Sequence, residues 1–209
     1  MKAPEGPRLT GGTAKGARLF SIPGRDVRPA LARMRISLFE ILRCRLEGAR
    51  VVDLFAGTGC LGLEALSRGA ARALFLDVDP RCLEAVRKNL EKLRFTDRGG
   101  TMDADAFRAA DGLGPAEIAF VDPPYDYYVE RREELRVLVG TLLARVIPDA
   151  EGRVVSEHRP KEGLGEVEGG TIVDERRYGD TAVTMYSKSR GRAIQETNRP
   201  SSTLLPQGA

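Results

Sequence analysis

Four consecutive residues, Asp122-Pro123-Pro124-Tyr125, place two acceptors and an aromatic ring directly after an apolar strand. Prolines lack a backbone N–H, so this turn presents carbonyl oxygens to the crevice beyond the strand. If the Asp122 carboxylate and the Pro123 carbonyl each accept one N–H of an exocyclic base amine, the nitrogen becomes oriented and more electron-rich for attack on a methyl donor. Tyr125 could stack on a base swung out of its helix. The segment predicts amine methylation in nucleic acid, with all four residues as catalytic contacts.

A glycine-rich loop, Gly57-x-Gly59-x-x-Gly62, follows an apolar strand that contains Asp53. Glycines allow a sharp turn and a close approach of the backbone to a ligand, so an adenosyl group fits above this loop. With Asp77 as the ribose-binding carboxylate, the same pattern also fits a dinucleotide site and hence a nicotinamide or flavin enzyme. Two details favour S-adenosylmethionine. Asp53 lies inside the strand, where an acid can orient the loop or the ammonium of the ligand. A sulfonium ligand also has no pyrophosphate to place at the helix N-terminus.

Three acidic residues follow the next two strands and differ in what the pattern predicts for them. Asp77 ends its strand, where its carboxylate can accept both ribose hydroxyls. Asp79 precedes Pro80, which favours a helix N-cap, whereas Asp105 fits a contact with the adenine amine and an N-cap equally well. The predicted cofactor contacts are Asp53, Phe55, Ala56, Gly57, Thr58, Gly59, Asp77, Val78, Asp105 and Ala106.

Charge is distributed unevenly along the 209 residues, whose net charge is +3. Residues 1–50 hold eleven Lys or Arg against four Asp or Glu, which leaves the remainder of the chain slightly acidic. This asymmetry is typical of a polyanion-binding segment attached to a catalytic domain. No apolar run approaches the length of a membrane span, and the N-terminus has no apolar leader, so we expect a cytoplasmic protein.

Cysteine and histidine usage argues against metal and disulfide scaffolding. The cysteines Cys44, Cys60 and Cys82 form no CxxC pair, and His158 is the single histidine. These residues offer too few soft ligands for a zinc site, so no metal is expected. The Glu157-His158 pair invites an acid/base interpretation, but a lone histidine at a strand end is more often structural or solvated.

The pattern of elements predicts one α/β domain with appendages. Strands are predicted at 50–55, 72–77, 99–103, 117–121, 152–157, 171–177 and 181–187. Helices are predicted at 60–68, 80–93, 105–110 and 128–146. Alternating strands and helices indicate a mostly parallel sheet covered on both faces, and the last two strands form a hairpin with one antiparallel strand.

Two terminal regions lie outside this alternation. Residues 8–22 predict two short strands around glycine turns, and an amphipathic helix follows Pro29 and ends before Gly48. The predicted organisation is a basic N-terminal hairpin and helix extension over 1–48, a methyltransferase domain over 49–188, and a polar, disordered tail over 189–209.

Several of these segments together resemble the bacterial RsmD-type methyltransferases, over about residues 8 to 188. The matching text includes Arg8-Leu-Thr-Gly-Gly12, Lys15-Gly16, Arg28-Pro29 with Arg33 and Arg35, the long stretch Val52-Asp-Leu-Phe-Ala-Gly-Thr-Gly-Cys-Leu-Gly-Leu-Glu-Ala-Leu-Ser-Arg-Gly-Ala70, Phe120-Val-Asp-Pro-Pro-Tyr125 and Tyr178-Gly179. The stretch ending at Ala70 is more specific than the Asp-Pro-Pro-Tyr segment. The sequence departs from the family pattern at Ala30, Leu31, Ala32 and Ile36.

The resemblance implies a Rossmann-like class I fold with a seven-stranded sheet and S-adenosylmethionine as methyl donor. We expect a monomer. The implied reaction methylates the N2 amine of a guanine in 16S rRNA, guanine 966, within the assembling 30S subunit. The implied RNA contacts are Arg8, Lys15, Arg18, Arg28, Arg33 and Arg35. The alternatives are a methyltransferase for adenine N6 in DNA or for a protein glutamine, and a non-catalytic RNA-binding assembly protein.

Overall fold

The computed structural model describes residues 6–22 and 29–189. Seven strands form one sheet in the order β3-β2-β1-β4-β5-β7-β6. The strands are β1 Arg50–Asp53, β2 Arg72–Asp77, β3 Gly99–Asp103, β4 Ile118–Val121, β5 Arg153–His158, β6 Gly170–Tyr178 and β7 Thr181–Lys188. Strand β7 is antiparallel to both β5 and β6, while β1 to β5 pair in parallel. The predicted fold class is confirmed.

Helices cover both faces of this sheet. They are α1 Pro29–Ile41, α2 Arg43–Leu46, α3 Cys60–Ser67, α4 Pro80–Leu93, α5 Ala106–Ala109, α6 Tyr127–Glu130 and α7 Arg132–Thr141. One apolar core packs α1, α3 and α4 against one face, and a second packs α5 to α7 against the other. No helix within the described residues is both long and apolar enough to cross a bilayer.

Strand order changes direction between β1 and β4, and this point sets the place of the site. Strand β1 pairs with β2 on one side and with β4 on the other. The helices that follow β1 and β4 lie on opposite faces, so a crevice opens beyond the carboxyl ends of these two strands. The glycine loop leaves β1 there, and the Asp-Pro-Pro-Tyr segment leaves β4.

The single long helix predicted over 128–146 is wrong. Arg131 leaves the helical conformation with φ −126° and ψ 29°, which separates α6 from α7, and a wider π-helical turn follows at Leu142–Val146. The apolar periodicity could not reveal the break at Arg131, because the buried residues on its two sides, Tyr128 and Leu135, are seven positions apart, as in a continuous helix.

The two short strands predicted within 8–22 are present as a minimal hairpin, with an isolated antiparallel bridge between Arg8 and Arg18 in place of a longer ladder. Two backbone hydrogen bonds join its arms on either side of the bridge, from the Leu9 N–H to the Ala17 carbonyl and from the Leu19 N–H to the Pro7 carbonyl. The turn of this hairpin also bonds to α3: the Thr10 N–H donates to Glu64, and the Thr13 N–H donates to the Ser67 carbonyl. The predicted tail 189–209 lies outside the described residues apart from Ser189.

Gly62 allows α3 to pack closely on β2. A Cβ at this position would lie 2.3 Å from Cε1 of Phe75, whose ring is fully buried. A real Cβ does not approach a ring carbon this closely, and the packed core leaves the ring little room to move. The third glycine of the motif therefore serves helix-to-strand packing.

Gly62→Ala should lower the free energy of unfolding by about 1–3 kcal/mol, since the added methyl overpacks this contact. Urea denaturation followed by circular dichroism measures the change. Gly112→Ala is the matched control, because nothing lies within 4 Å of a Cβ there and its φ is not positive. Equal stabilities of the two variants would contradict the packing role of Gly62.

Candidate active site

A cavity of about 660 Å³ opens beyond the carboxyl ends of β1 and β4, within the size range of small-molecule sites. It is lined by Leu54, Phe55, Asp77, Val78, Asp79, Ala104, Asp105, Ala106, Phe107, Asp122, Pro123, Pro124, Tyr125, Tyr127, Arg131 and Glu157. All four predicted catalytic residues and five of the predicted cofactor contacts therefore share one cavity.

The other five predicted cofactor contacts, Asp53, Ala56, Gly57, Thr58 and Gly59, are not among the lining residues. They form the loop beside the cavity and its support. The backbone turns at two of the glycines with positive φ, 55° at Gly57 and 79° at Gly59. Glycine adopts these angles without the steric cost that a side chain would add.

Two carboxylates hold the glycine loop from its inner side. The Gly62 N–H donates to Asp53 at 3.0 Å, and the Gly57 N–H donates to Asp77 at 2.8 Å. The other oxygen of Asp77 accepts the Asp79 N–H at 2.9 Å. A carboxylate oxygen has two lone pairs, so Asp77 can hold the loop and still accept hydroxyl groups from the cavity.

Asp79 and Asp105 both cap helices. Asp79 accepts the Arg81 N–H at the start of α4, and Asp105 accepts the Phe107 N–H at the start of α5, each at 2.9 Å. The N-cap predicted for Asp79 is confirmed. For Asp105, which had two open interpretations, the capping bond is present and the residue also lines the cavity.

The cavity is strongly acidic. Among the described residues, its lining holds five carboxylates, at Asp77, Asp79, Asp105, Asp122 and Glu157, and one guanidinium, at Arg131. In a partly desolvated site such an imbalance attracts a cationic ligand and repels a pyrophosphate. Of the two ligand classes compatible with the glycine loop, this charge favours the sulfonium.

Asp53 adds a buried carboxyl directly behind this acidic lining. Its side chain is 2% exposed, and burial raises its pKa from 3.8 to about 7. The Gly62 N–H opposes this shift, whereas the nearby charges of Asp122 and Asp77 add to it. The protonation state of Asp53 is therefore coupled to the charge of the site.

Tyr125 is anchored by two neighbours from other strands. Its hydroxyl donates to Glu157 at 3.3 Å and lies 3.2 Å from the Thr181 hydroxyl. Burial raises the pKa of this phenol, so it remains protonated and able to donate. The Arg159 guanidinium carbon lies 5.0 Å from the centroid of the Tyr125 ring, which fixes one face of the ring.

An aromatic wall of the cavity was not predicted. Phe55, Phe107 and Tyr127 form three ring contacts with centroids 5.8–6.4 Å apart. The Arg131 guanidinium carbon lies 3.8 Å from the Phe107 centroid, and its Nη2 pairs with Oε2 of Glu134 at 2.6 Å. Phe55 follows β1, Phe107 lies in α5 and Tyr127 begins α6, and no spacing in the sequence indicates that they meet.

The adjacent residues Glu157 and His158 have different surroundings. Glu157 lines the cavity, so it is a site residue that the sequence did not assign. His158 is buried, and its two ring nitrogens bond to the Arg159 carbonyl and the Thr184 hydroxyl, each at 2.8 Å. The histidine therefore ties β5 to β7. Strand alternation alone could have separated the two roles, because successive side chains point to opposite faces.

The predicted RNA contacts near the N-terminus lie mostly away from the cavity. Thr13 and Ala14 bond to Ser67, the last residue of α3, which places the neighbouring Lys15 at the amino ends of the strands. The Arg18 carbonyl accepts from Lys92, near the end of α4 and hence at the same edge.

The remaining predicted RNA contacts have mixed positions. The Arg8 guanidinium donates to the Gly16 carbonyl, and Arg33 is exposed on α1. Arg35 is only 5% exposed and donates to the Arg8 carbonyl, so it stabilises the N-terminal segment instead of presenting its charge to solvent. Arg28 lies outside the described residues.

Asp53→Asn should remove a pH dependence of stability. The pKa of Asp53 is higher in the folded protein than in the unfolded chain. Below pH 3.8 the carboxyl is protonated in both states and does not lower stability, and as the pH rises to about 7 the wild type loses free energy of unfolding. The asparagine amide cannot ionise, and its oxygen can still accept the Gly62 N–H. We expect the unfolding free energy of the variant to rise relative to the wild type across this range, by on the order of 1.4 kcal/mol per pKa unit at most.

Urea denaturation at a series of pH values measures this difference. Asp97→Asn, at an exposed position, controls for the loss of one carboxylate. A variant whose stability profile runs parallel to that of the wild type would show that Asp53 does not titrate in this range.

Comparison with known proteins gives the family. The family model described as Conserved hypothetical protein 95 matches residues 7–187. Ribosomal RNA small subunit methyltransferase D of Escherichia coli K12 is 32% identical over 183 residues, covering 87% of this chain and 89% of that protein. YlbH of Bacillus subtilis is 32% identical over 186 residues, covering 87% and 98%.

A solved structure agrees with these relatives. The Escherichia coli protein yhhF superposes with a TM-score of 0.74 at 30% identity, covering 87% of this chain and 97% of the other. Similarity therefore extends over nearly the whole length of each relative. The chain belongs to the Conserved hypothetical protein 95 family, the family of the RsmD-type methyltransferases.

Proposed function

We propose that this protein transfers a methyl group from S-adenosylmethionine to the N2 amine of a guanine in 16S rRNA, within the assembling 30S subunit. The observation that carries the proposal is the acidic cavity that lies beside the glycine loop and is lined by Asp122-Pro123-Pro124-Tyr125, in a chain of the RsmD family. The relative named small subunit methyltransferase D supports the RNA substrate. Guanine 966, a monomeric state and a cytoplasmic location belong to the same proposal.

The residues of the cavity fit S-adenosylmethionine, which supplies an electrophilic methyl group on a cationic sulfur. The carboxylates complement its sulfonium and ammonium charges. Asp77 would accept the ribose hydroxyls from the end of β2. Val78, 64% exposed, and Phe107 line the same cavity and offer apolar surface for the adenine ring. A dinucleotide would bring two phosphate charges to this acidic lining.

Two carboxylates at the substrate end of the cavity favour guanine over adenine. Asp122 and Glu157 both line it, and both accept hydrogen bonds when ionised. Guanine presents adjacent donors, N1–H and the N2 amine, on one edge. Adenine presents its N6 amine beside N1, a lone pair that a carboxylate repels. The arrangement lets Asp122 bind the amine while Glu157 binds N1–H.

Chemistry at the amine needs orientation more than a strong base. The Asp122 carboxylate and the Pro123 carbonyl would each accept one N–H of the amine and direct its lone pair toward the methyl group. Once the carbon–nitrogen bond forms, the nitrogen is cationic and acidic, and its proton passes to Asp122 or water. The Tyr125 face that is not covered by Arg159 would stack on the base.

Asp122→Ala should lower methyl transfer at least 100-fold, on the order seen when one acceptor or donor to a transition state is removed. The assay measures tritium transfer from labelled S-adenosylmethionine to 30S particles that lack the modification. Asp126→Ala is the matched control, because this exposed carboxylate makes no capping hydrogen bond. Calorimetry with S-adenosylhomocysteine, which carries no sulfonium charge, checks that the cofactor site remains intact.

Nuclease digestion and mass spectrometry of the labelled RNA identify the product. N2-methylguanosine is expected. N6-methyladenosine, or label that enters protein glutamine instead of RNA, would overturn the choice of substrate. A wild type that binds RNA but transfers no label would support the non-catalytic assembly protein.

Glu157→Gln should weaken discrimination for guanine. The base 2-aminopurine keeps the 2-amine of guanine, but its N1 is an acceptor instead of a donor. The wild type should therefore methylate RNA that has 2-aminopurine in place of the target guanine about 10- to 100-fold more slowly, which is the discrimination expected from one contact to a base edge. In the variant, the preference for guanine over 2-aminopurine should be smaller, because a glutamine amide can donate a hydrogen bond to N1 of 2-aminopurine.

The ratio of kcat/KM values for the two RNAs measures the effect. Glu175→Gln, an exposed change on β6, is the control and should leave the ratio unaltered. Equal rates of the wild type on the two RNAs would remove Glu157 from guanine recognition.

A further inference from the structure

The proposed reaction leaves a gap in RNA recognition. A target base in the cavity lies at the carboxyl edge of the sheet, whereas Lys15 and the Arg18 backbone lie at the amino edge. The eight residues of α3 separate the two edges by about 12 Å at 1.5 Å per residue. Arg33 comes closer, because it lies one turn before Ser37 on α1, which accepts from Tyr178 at the carboxyl end of β6. Phosphates next to the target nucleotide need further cations on this carboxyl edge.

A second depression, of about 520 Å³, adjoins the cavity at this edge. Tyr125 lines both, so the two spaces meet at its ring. We call the second one the cationic groove, defined by Arg159, Lys161 and Arg177.

Two neighbouring elements supply these cations. Arg159 and Lys161 lie in the loop that follows β5, and Arg177 is near the end of β6. Because β7 is antiparallel to both β5 and β6, the carboxyl ends of β5 and β6 lie at the same edge. The groove is thus built by the sheet at the substrate side of the cavity.

The cations of the groove are available to a ligand. Lys161 is exposed, and no ion pair to it is found within residues 6–22 and 29–189. Arg159 is half-exposed, and its contact with Glu162 is long, at 3.9 Å. The Arg177 Nε donates to the neutral Gly179 carbonyl, which leaves its charge uncompensated by that bond.

The sign of the local charge changes across Tyr125. Counted over residues 6–22 and 29–189, the cavity lining carries five carboxylates and one guanidinium, whereas the groove lining carries three cations and the two carboxylates Glu162 and Asp180. A phosphodiester is repelled by the first space and attracted by the second. A nucleotide that places its base in the cavity would therefore leave its phosphates on the groove.

We propose that the cationic groove binds the phosphates that flank the target nucleotide, in RNA whose target base is unpaired. The inference rests on the proposed function, since it places the backbone of the same substrate. Arg159 has a double position, over the Tyr125 ring and in the groove, so it would also fix the ring against which the base stacks.

The double variant Lys161→Gln/Arg177→Gln tests the groove without altering the cavity lining. An in vitro transcript of 16S rRNA serves as probe, and its affinity for the full chain is measured by filter binding over a series of KCl concentrations. Each lost phosphate contact should reduce the slope of log K against log salt by about 0.7 for single-stranded RNA, so the pair should reduce it by about 1.4. KM for the transcript should rise, while calorimetry with S-adenosylhomocysteine stays unchanged.

Arg72→Gln/Arg94→Gln is the matched control, because it removes two exposed guanidiniums from the amino edge. The proposal that the groove binds phosphates is contradicted if the salt slope falls equally in both double variants, or if it is unchanged in the groove variant. A wild type that neither binds nor methylates the transcript or 30S particles would instead overturn the proposed function.

Discussion

Two hydrogen bonds from the glycine loop to inward-facing carboxylates underlie the whole site. Gly62 is the third residue of α3, and Gly59, which precedes the helix, offers no side chain to cap it. Asp53 supplies the missing acceptor from the neighbouring strand, and Asp77 does the same for Gly57. The loop is thereby fixed before any ligand arrives, and the burial of Asp53 is the energetic cost of that preorganisation.

Charge then divides the carboxyl edge into two regions with Tyr125 at their border. An acidic cavity suits a cationic methyl donor and the donor edge of guanine, but it opposes the phosphates that accompany every nucleotide. The loop after β5 and the end of β6 place the positive charges of the cationic groove beside this cavity. Tyr125 is bonded to Glu157 on one side and covered by Arg159 on the other, so the ring is held between the two regions.

Much of this organisation was predictable, because it is local in sequence. All seven strands, the N-cap at Asp79 and the meeting of the glycine loop with Asp122 follow from period, capping chemistry and strand order. Other features depend on contacts between residues far apart in the sequence. They include the helix break at Arg131, the aromatic wall around Phe107, and which arginines are buried and which are exposed. Net charge along residues 1–50 indicated a basic segment, but it could not tell that Arg35 is buried.

The register of β1 against β4 sets the relation between the two halves of the reaction. The residues proposed to hold the cofactor lie between Asp53 and Phe107, and those proposed to hold the base lie from Asp122 onward. The pairing of Val51, Val52 and Asp53 with Ile118, Ala119 and Phe120 aligns the two sets directly. A slip of one residue would displace Asp122 by about 3.3 Å, roughly two bond lengths. Loops on either half can therefore change in length during evolution, whereas this short ladder tolerates no insertion.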